Sequence, residues 1–528
     1  MRTPFGRTSW RNVAYTAAAV AIAAGLLAPA EVAAQKPGGT LRIAILGEPP
    51  ALDPHWTTAT LTEIIANHYL EGLYTRDKNY QPIPMLADGH TVSADAKVYA
   101  IRLRHGVIFH NDKEMTSEDV VASLNRWLKV STYGKALAPK VEAIRATDKY
   151  AIEIRLKEPS AVLIPNLAFE NNFAAIYPKE VAEAAGDKPN TQFIGTGPFK
   201  IVERQPDRFI KMVRHDKYAA RSEPASGWGG KKVAYVDTLM WIPTPDPVQR
   251  INAIESGEAD FTFDATADAY GRLKDNPKVR TEITKPYYWL VMVFNQKKGL
   301  FADGTPSGQK MRQAVLAAID QEPVTKAAVG RPEFYRLDGS ISFKEEGKWW
   351  VDVPASTYNQ KDKAKARRLL QEAGYTGQPI RYMTSQEYDW MYKFALVAKQ
   401  QLEEVGMKVD LQVVDWATLV KQRNDPDKYD AFTTGIGAFA DPTQSVVFSC
   451  AWPGWHCNPE ADKLIDQMRR ETVFEKRYAL WKEAHKLFYE WVPVIRHGDI
   501  FGLSVMTTSV KGTAGMMRPF FWNVWLDK

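Results

Sequence analysis

The chain has 528 residues, of which 45% are hydrophobic and 25% are charged. This is too long for one compact core, and the composition is that of a soluble globular protein, so we expect two or three domains. The 68 basic and 62 acidic residues are mixed along the chain and give a net charge of only +6. Since no basic block occurs, the sequence does not indicate binding to nucleic acid or to a membrane surface.

The N-terminal segment has the pattern of a secretory signal peptide. Basic residues within the first eleven positions precede an Ala-rich apolar run over residues 13–27, and small residues then lead to a cleavage site after Ala34. The apolar run is shorter than the roughly 20 residues that a membrane span needs. No cysteine lies near the cleavage site to carry a lipid. We therefore predict that residues 1–34 are removed and that the mature chain is periplasmic.

Strands alternate with helices along the rest of the chain, which predicts an α/β fold. The predicted strands lie at 38–44, 99–104, 107–109, 150–156, 199–202, 209–213, 235–242, 287–295, 409–413, 430–437 and 492–495, with short strands from 505 onward. The predicted helices lie at 60–73, 116–127, 245–257, 311–320, 362–375, 391–406 and 458–489.

The stretch from Tyr99 to Trp127 is the most informative part of the chain. Its apolar residues alternate up to Leu103, which favours a half-buried strand. Thr116 stands three residues before Asp119, so that a hydroxyl and a carboxylate are placed to cap the start of a helix. These residues include no metal-ligand cluster and no nucleophile paired with a base.

This stretch closely resembles the signature of the extracytoplasmic solute-binding proteins that serve peptide and nickel ABC importers. The matching residues are Leu103 to Val107, Phe109, His110, Thr116, Glu118 to Val120, Ser123 and Arg126. The usual Asp-Gly turn is replaced here by Asn111-Asp112. No Gly-Lys-Ser/Thr follows at Gly195 to Phe199 (GTGPF), so this run is not a phosphate loop. It matches a further hallmark of the family, to which the resemblance assigns a structural role.

The resemblance covers nearly the whole mature chain and implies a two-lobed fold of the type II periplasmic-binding-protein kind. Two chain crossings, near Val293 and near Arg496, would form the hinge. Lobe I would comprise residues 35–292 and 498–528, with an extra subdomain at about 80–190. Lobe II would comprise residues 293–497, and residues 1–34 would be the signal peptide.

The only two cysteines, Cys450 and Cys457, are close in sequence. An even pair in an exported protein favours a disulfide, and a Pro-Gly turn lies between them. The competing interpretation is a metal site that uses both cysteines and His456, although no fourth ligand is evident. The resemblance agrees with the disulfide, since related proteins often close a loop here with a cysteine pair.

Five residues are candidates for ligand contact. In peptide-binding members of the family, an Asp-Pro in lobe II pairs with the ligand's α-amino group, and Asp441 matches that Asp, although an Asx-type turn before Pro442 would explain it equally well. Phe439 would replace a stacking Trp that is absent at Ile436. The other candidates are Tyr388, Trp390 and Trp56, each of which would otherwise be a packing residue.

These features predict a periplasmic substrate-binding component of an ABC importer that is not an enzyme and needs no cofactor or metal. It would be a monomer that captures a di- or oligopeptide between two lobes and delivers it to permease subunits in the inner membrane. The segment after Met383 lacks the Arg of dipeptide-specific members, so a nickel chelate, an opine or an oligosaccharide is an alternative ligand. An exported hydrolase is the alternative from another class.

Overall fold

The structure, a computed structural model, describes residues 1, 35–304 and 306–527. The predicted signal peptide therefore lies outside the described residues, apart from Met1. Among the described residues, no helix is both long enough and apolar enough to cross a membrane. The fold is that of the unit formed by residues 37–528.

The strands of this unit are, in chain order, β1 (Thr40–Ile45), β2 (Tyr74–Arg76), β3 (Pro82–Pro84), β4 (Ala87–Val92), β5 (Val98–Leu103), β6 (Val141–Asp148), β7 (Ala151–Leu156), β8 (Phe199–Gln205), β9 (Phe209–Arg214), β10 (Thr238–Pro243), β11 (Phe261–Thr262), β12 (Val279–Phe294), β13 (Tyr335–Arg336), β14 (Pro379–Thr384), β15 (Lys408–Val413), β16 (Ala431–Ile436), β17 (Val494–Thr507), β18 (Val510–Lys511) and β19 (Trp525–Leu526).

The α-helices are, in chain order, α1 (Thr60–Tyr69), α2 (Ser117–Val130), α3 (Thr132–Leu137), α4 (Leu163–Ala168), α5 (Lys179–Ala185), α6 (Pro247–Ser256), α7 (Tyr270–Leu273), α8 (Pro306–Ala318), α9 (Gln321–Val329), α10 (Ala355–Tyr358), α11 (Lys363–Glu372), α12 (Asp389–Glu403), α13 (Trp416–Gln422), α14 (Pro459–Arg470) and α15 (Phe474–Trp491).

A long mixed sheet runs through the unit in the order β15-β14-β16-β12-β17-β11-β1-β10-β9-β8, and β13 adds to β17. Its middle is the antiparallel pair β12 and β17. The second half of β12 is a continuous run of aromatic and aliphatic residues that is buried throughout, as expected of a strand covered on both faces. Strands from residues 379–436 lie on one side of this pair, and strands from residues 40–262 lie on the other.

A separate four-stranded sheet, β4-β5-β7-β6, packs with α2 around its own hydrophobic core. The predicted alternation in β5 is confirmed, because Tyr99 and Leu103 are buried whereas Arg102 is exposed. The predicted helix cap is also present, since the backbone N–H of Thr116 donates to Asp119 Oδ2 at 2.8 Å. The signature stretch therefore builds a subdomain core and contributes no chemistry.

Two predicted elements have a different form in the structure, and the predicted strand at 492–495 is part of the much longer β17. Residues 107–109 form only an isolated bridge between Ile108 and Glu114, because the chain turns at Asp112 with φ 68° and folds back at once. The predicted helix at 458–489 is two helices, since the Glu471 carboxylate accepts hydrogen bonds from the backbone N–H groups of Thr472 and Val473 and ends the first helix.

The GTGPF segment has the structural role that the resemblance implied. A Cβ atom on Gly195 would lie 2.0 Å from the carbonyl oxygen of Tyr69, and one on Gly197 would lie 2.6 Å from that of His68. Only glycine therefore permits this segment to pack against the end of α1.

The predicted disulfide joins Cys450 and Cys457, whose Cα atoms are 4.6 Å apart. His456 between them is fully buried. Since both sulfurs are used in the crosslink, the alternative of a metal site at these three residues is wrong.

Replacing Cys450 and Cys457 together by serine should lower the free energy of unfolding by about 2 kcal/mol, because the crosslink restricts a short loop of the unfolded chain. Urea unfolding of the double variant in non-reducing buffer measures this loss. Reductant should destabilise the wild type and leave the double variant unchanged. A double variant as stable as the wild type would contradict the role of the crosslink.

Candidate ligand-binding cavity

A cavity lies beside the central strand pair and receives residues from both sides of it. Its volume is about 70 Å³. Its lining includes Thr58, Glu63, Phe169, Glu170, Asn171, Tyr288 and Arg518, together with Tyr388, Trp416, Arg423, Gly435, Gly437, Phe439 and Trp452. Such a mixture of aromatic surface and a few charged groups is typical of a small-molecule site.

Two carboxylates face this cavity. Glu63 lies in the first turn of α1 and is 2% exposed, and its Oε2 accepts a hydrogen bond from Asn171 Nδ2 at 2.8 Å. Burial raises the pKa of Glu63 to about 7, although Arg518 favours the ionised form. Glu170 is paired through Oε1 with the guanidinium of Arg76. Each carboxylate keeps one oxygen, Oε1 of Glu63 and Oε2 of Glu170, without a hydrogen bond among the described residues.

Arg423 follows the last residue of α13 and brings a cation to the opposite side of the central pair. It is 5% exposed, and its guanidinium lies 5.7 Å from the Trp452 ring. One nitrogen donates to Thr58 Oγ1 at 3.0 Å, whereas Nε has no acceptor in the described part of the chain. Burial lowers the pKa of Arg423 to about 10. No described carboxylate forms an ion pair with it, so it is a buried cation without a counter-charge.

Two of the predicted contact residues belong to the aromatic wall of the cavity, and a third lies directly behind it. Phe439 and Tyr388 line the cavity, and Phe439 packs 5.7 Å from Phe169. Trp390 lies behind this wall, with its ring 5.5 Å from Tyr388 and its Nε1–H donating to Asp264 Oδ1 at 3.2 Å. The structure thus brings these residues together, while their contact with a ligand stays a prediction.

Trp56 lies elsewhere, in a groove of about 720 Å³ on the outer side of Arg423. It is 45% exposed. The groove also contains Lys129, Lys135 and Lys421, and Thr58 and Arg423 separate it from the cavity. Trp56 therefore lies in a groove beside the cavity and is not part of the cavity wall, while its contact with a ligand stays a prediction.

Asp441 does not line the cavity. It is 3% exposed, and its Oδ2 accepts a hydrogen bond from Arg477 Nη2 at 2.6 Å. Its Oδ1 accepts hydrogen bonds from the N–H and Oγ1–H of Thr443, at 3.1 and 2.8 Å. Both oxygens are thus engaged in shaping the loop after β16, while the α-amino role of Asp441 stays a prediction.

Sequence reasoning missed the charged residues of the cavity. Glu63 has the ordinary pattern of an acidic residue in a first helical turn, and Arg518 stands in an aromatic C-terminal segment. A single buried charge produces no periodic pattern in the sequence. The segments that contain Glu63 and Arg518 are brought together only by the fold. Among the described residues, no group of three or more His, Cys, Asp or Glu is arranged to hold a metal ion.

Comparisons with known proteins agree with this architecture. A probable peptide ABC transporter periplasmic-binding protein, y4tO of Sinorhizobium fredii, is 29% identical, with 96% of each chain covered. The oligopeptide-binding protein AppA of Bacillus subtilis is 26% identical, with 83% of this chain and 82% of AppA covered.

In solved structures, AgaA of A. tumefaciens R10 in complex with agropinic acid superposes with a TM-score of 0.81 at 23% identity over 93% of this chain and 99% of AgaA. AppA in complex with a nonapeptide gives a TM-score of 0.80 at 22% identity over 94% of this chain and all of AppA.

The fold is that of a two-lobed solute-binding protein, which confirms the predicted fold class. The model of the bacterial extracellular solute-binding proteins, family 5, matches residues 81–453. The chain belongs to this family, whose members are transporter components rather than enzymes. The resemblance inferred from the signature stretch is therefore confirmed.

Proposed function

We propose that the mature chain is the periplasmic ligand-binding component of an ABC importer and that it captures a di- or oligopeptide in the cavity. After signal-peptide cleavage at Ala34, the monomeric chain would deliver this ligand unchanged to permease subunits in the inner membrane. The names of its relatives support a peptide as ligand, since y4tO is described as a probable peptide-transport protein and AppA as an oligopeptide-binding protein.

One observation carries this proposal: the cavity is lined by incompletely partnered groups of both charge signs. Arg423 has no counter-charge among the described residues, and Glu63 and Glu170 each keep an oxygen without a hydrogen bond. Burying such groups is unfavourable unless a partner arrives. A peptide brings both an ammonium and a carboxylate group, and charge-assisted hydrogen bonds to these groups are strong in a site that excludes water.

The lobes would close around the ligand along the boundaries predicted above, 35–292 with 498–528 against 293–497. Several contacts join these two parts, and the first of the following three lies at the cavity wall. Arg423 donates to Thr58, Gln444 Nε2 donates to the carbonyl oxygen of Pro165 at 2.8 Å, and Lys140 pairs with Asp466. Since all three contacts must break when the lobes part, they support a hinged closure around the ligand.

The free space in the cavity supports a compact ligand in this arrangement. The cavity volume of about 70 Å³ is several times the roughly 10–15 Å³ that one buried water needs. Phe439 and Tyr388 would contact the ligand, and Trp390 would hold Tyr388 in place from behind. A longer peptide would require the lobes to open, and its chain would extend out of the cavity past Arg423 toward Trp56.

The variant Arg423→Gln should lose most of the protein's preference for peptides with a free C-terminal carboxylate over amidated peptides. A hydrogen bond between charged groups contributes about 1.5–3 kcal/mol, so the variant should bind a peptide with a free C-terminus at least about tenfold more weakly. Native mass spectrometry with a mixed-sequence tripeptide library and with its C-terminally amidated counterpart measures the preference.

The matched control is Lys421→Gln, since Lys421 lies in the outer groove and not in the cavity wall. It should bind like the wild type. Wild-type protein that captures neither library would overturn the proposed function. Capture by Arg423→Gln that is undiminished for the free-carboxylate library would overturn the role of Arg423 alone.

A further inference from the structure

Glu63 and Glu170 form an incompletely partnered carboxylate pair at the cavity wall. Glu63 is 2% exposed and Glu170 is 4% exposed. Glu63 Oε2 is bonded to Asn171, and Glu170 Oε1 is bonded to Arg76, so one oxygen of each carboxylate is engaged. The remaining oxygens, Glu63 Oε1 and Glu170 Oε2, accept no hydrogen bond from any described residue. Buried polar atoms nearly always have a partner, so this arrangement requires an explanation.

The neighbouring guanidiniums do not supply the missing partner. Arg518 Nε lies 3.6 Å from Glu63 Oε1, beyond hydrogen-bonding distance, and the Arg518 guanidinium lies over the Tyr288 ring at 4.6 Å. Arg76 is enclosed by aromatic rings and also donates to the carbonyl oxygen of Ala438 at 3.3 Å. The Glu170 carboxylate adds to the effect of burial in raising the pKa of Glu63.

We infer that a primary ammonium group of the ligand binds between Glu63 and Glu170 and donates hydrogen bonds to the two free carboxylate oxygens. An ammonium group has three donors, so it can satisfy both oxygens at once. Charge-assisted hydrogen bonds to the ammonium would supply what Arg518, 3.6 Å from Glu63 Oε1, does not. The position of Glu63 in the first turn of α1 places this pair beside a helix N-terminus, which further favours the ionised form of Glu63.

This inference rests on the proposed function and assigns the amino end of the ligand to lobe I. It differs from the family-based prediction for Asp441, whose oxygens are bonded to Arg477 and Thr443 and do not line the cavity. The carboxylate pair and Arg423 would then fix the two ends of the ligand from opposite lobes, so that only a ligand with both charged groups holds the lobes together.

The test compares a mixed-sequence tripeptide library that has free amino groups with the same library after N-acetylation. Native mass spectrometry of the full mature chain at pH 7.5 measures the ratio in which the two libraries are captured. Wild-type protein should favour the free amines by tenfold or more. Glu63→Gln keeps the shape and the bond to Asn171 but removes the charge, and its ratio should fall to within threefold of unity.

Two further variants make the result specific. Glu63→Asp, which keeps the charge and withdraws it by one methylene, should give an intermediate ratio. Asp441→Asn should keep the wild-type ratio. The inference is overturned if wild type captures both libraries equally, if Glu63→Gln keeps the wild-type ratio, or if Asp441→Asn loses it. Capture of neither library by the wild type would instead overturn the proposed function.

Discussion

Asp441→Asn is expected to lower the free energy of unfolding by about 3 kcal/mol, because it leaves the buried Arg477 without its counter-charge. Arg477 is 9% exposed, lies 5.0 Å from the Trp349 ring and donates to Asp441 at 2.6 Å. Asparagine retains the hydrogen bonds to Thr443 but not the charge. Urea unfolding of the variant and the wild type, followed by circular dichroism, measures the loss.

The control is the double variant Asp441→Asn with Arg477→Met, in which no charge is left buried. It should be more stable than the single variant, since replacing a whole buried pair is far less destabilising than breaking one. The ligand affinity of each folded variant separates the two roles of Asp441. If Asp441→Asn is as stable as the wild type but binds free amines more weakly, the structural role of Asp441 is contradicted. If the affinity of the variant for free amines is unchanged, the α-amino role is wrong.

Lowering the pH from 7 to 5 is expected to destabilise the protein by several kcal/mol. Burial lowers the pKa of eight of the nine histidines. Six of them are lowered furthest, to about 4 for His55 and His110 and about 3 for His68, His456, His485 and His497. In the unfolded chain these histidines titrate near 6.5. Between the folded and the unfolded pKa values, the unfolded chain therefore binds protons that the folded chain does not bind. Over this range each histidine lowers the free energy of unfolding by about 1.4 kcal/mol for every pH unit of acidification.

Among the carboxylates whose pKa burial raises, three with large shifts act in the opposite direction over the same range. Burial raises the pKa of Glu63 to about 7, of Glu346 to about 8 and of Asp264 to about 6, so the folded chain takes up their protons first. Since six histidines oppose three carboxylates, the net effect of acid is destabilising. Thermal unfolding between pH 7 and pH 5 measures it, and a melting temperature that stays constant or rises toward pH 5 would contradict the expectation.

His485→Gln serves as the matched control for this pH dependence. Nε2 of His485 accepts a hydrogen bond from the N–H of Ile341 at 3.0 Å, and Nδ1 donates to the carbonyl oxygen of Trp481 at 3.0 Å. Protonation would remove the acceptor, whereas a glutamine amide offers both a donor and an acceptor and does not titrate. The slope of the free energy of unfolding against pH should therefore decrease by the contribution of one histidine.

The family and the fold class could be predicted because the signature residues are local. The capped helix after Thr116 and the alternation in β5 are read directly from neighbouring residues. β17 could not be predicted in full, since Arg496 and Asp499 interrupt its apolar pattern. The structure shows why they are tolerated there: the two side chains pair with each other, and Arg336 also donates to Asp499.

The candidate site could be predicted only in part. Phe439 and Tyr388 were found because they stand beside a family motif. Glu63, Arg423 and Arg518 lie in three distant segments, and nothing near them in sequence distinguishes them from surface charges. Their importance comes from burial and from the partners that they lack, which are properties of the folded chain.

The central claim is that the cavity holds a ligand with both an ammonium and a carboxylate group. The most direct test is native mass spectrometry of protein isolated from periplasm without dialysis, followed by identification of the molecules released on unfolding. The account predicts one bound molecule per chain, drawn from short peptides with both termini free. A single uncharged compound, such as an oligosaccharide, would contradict it.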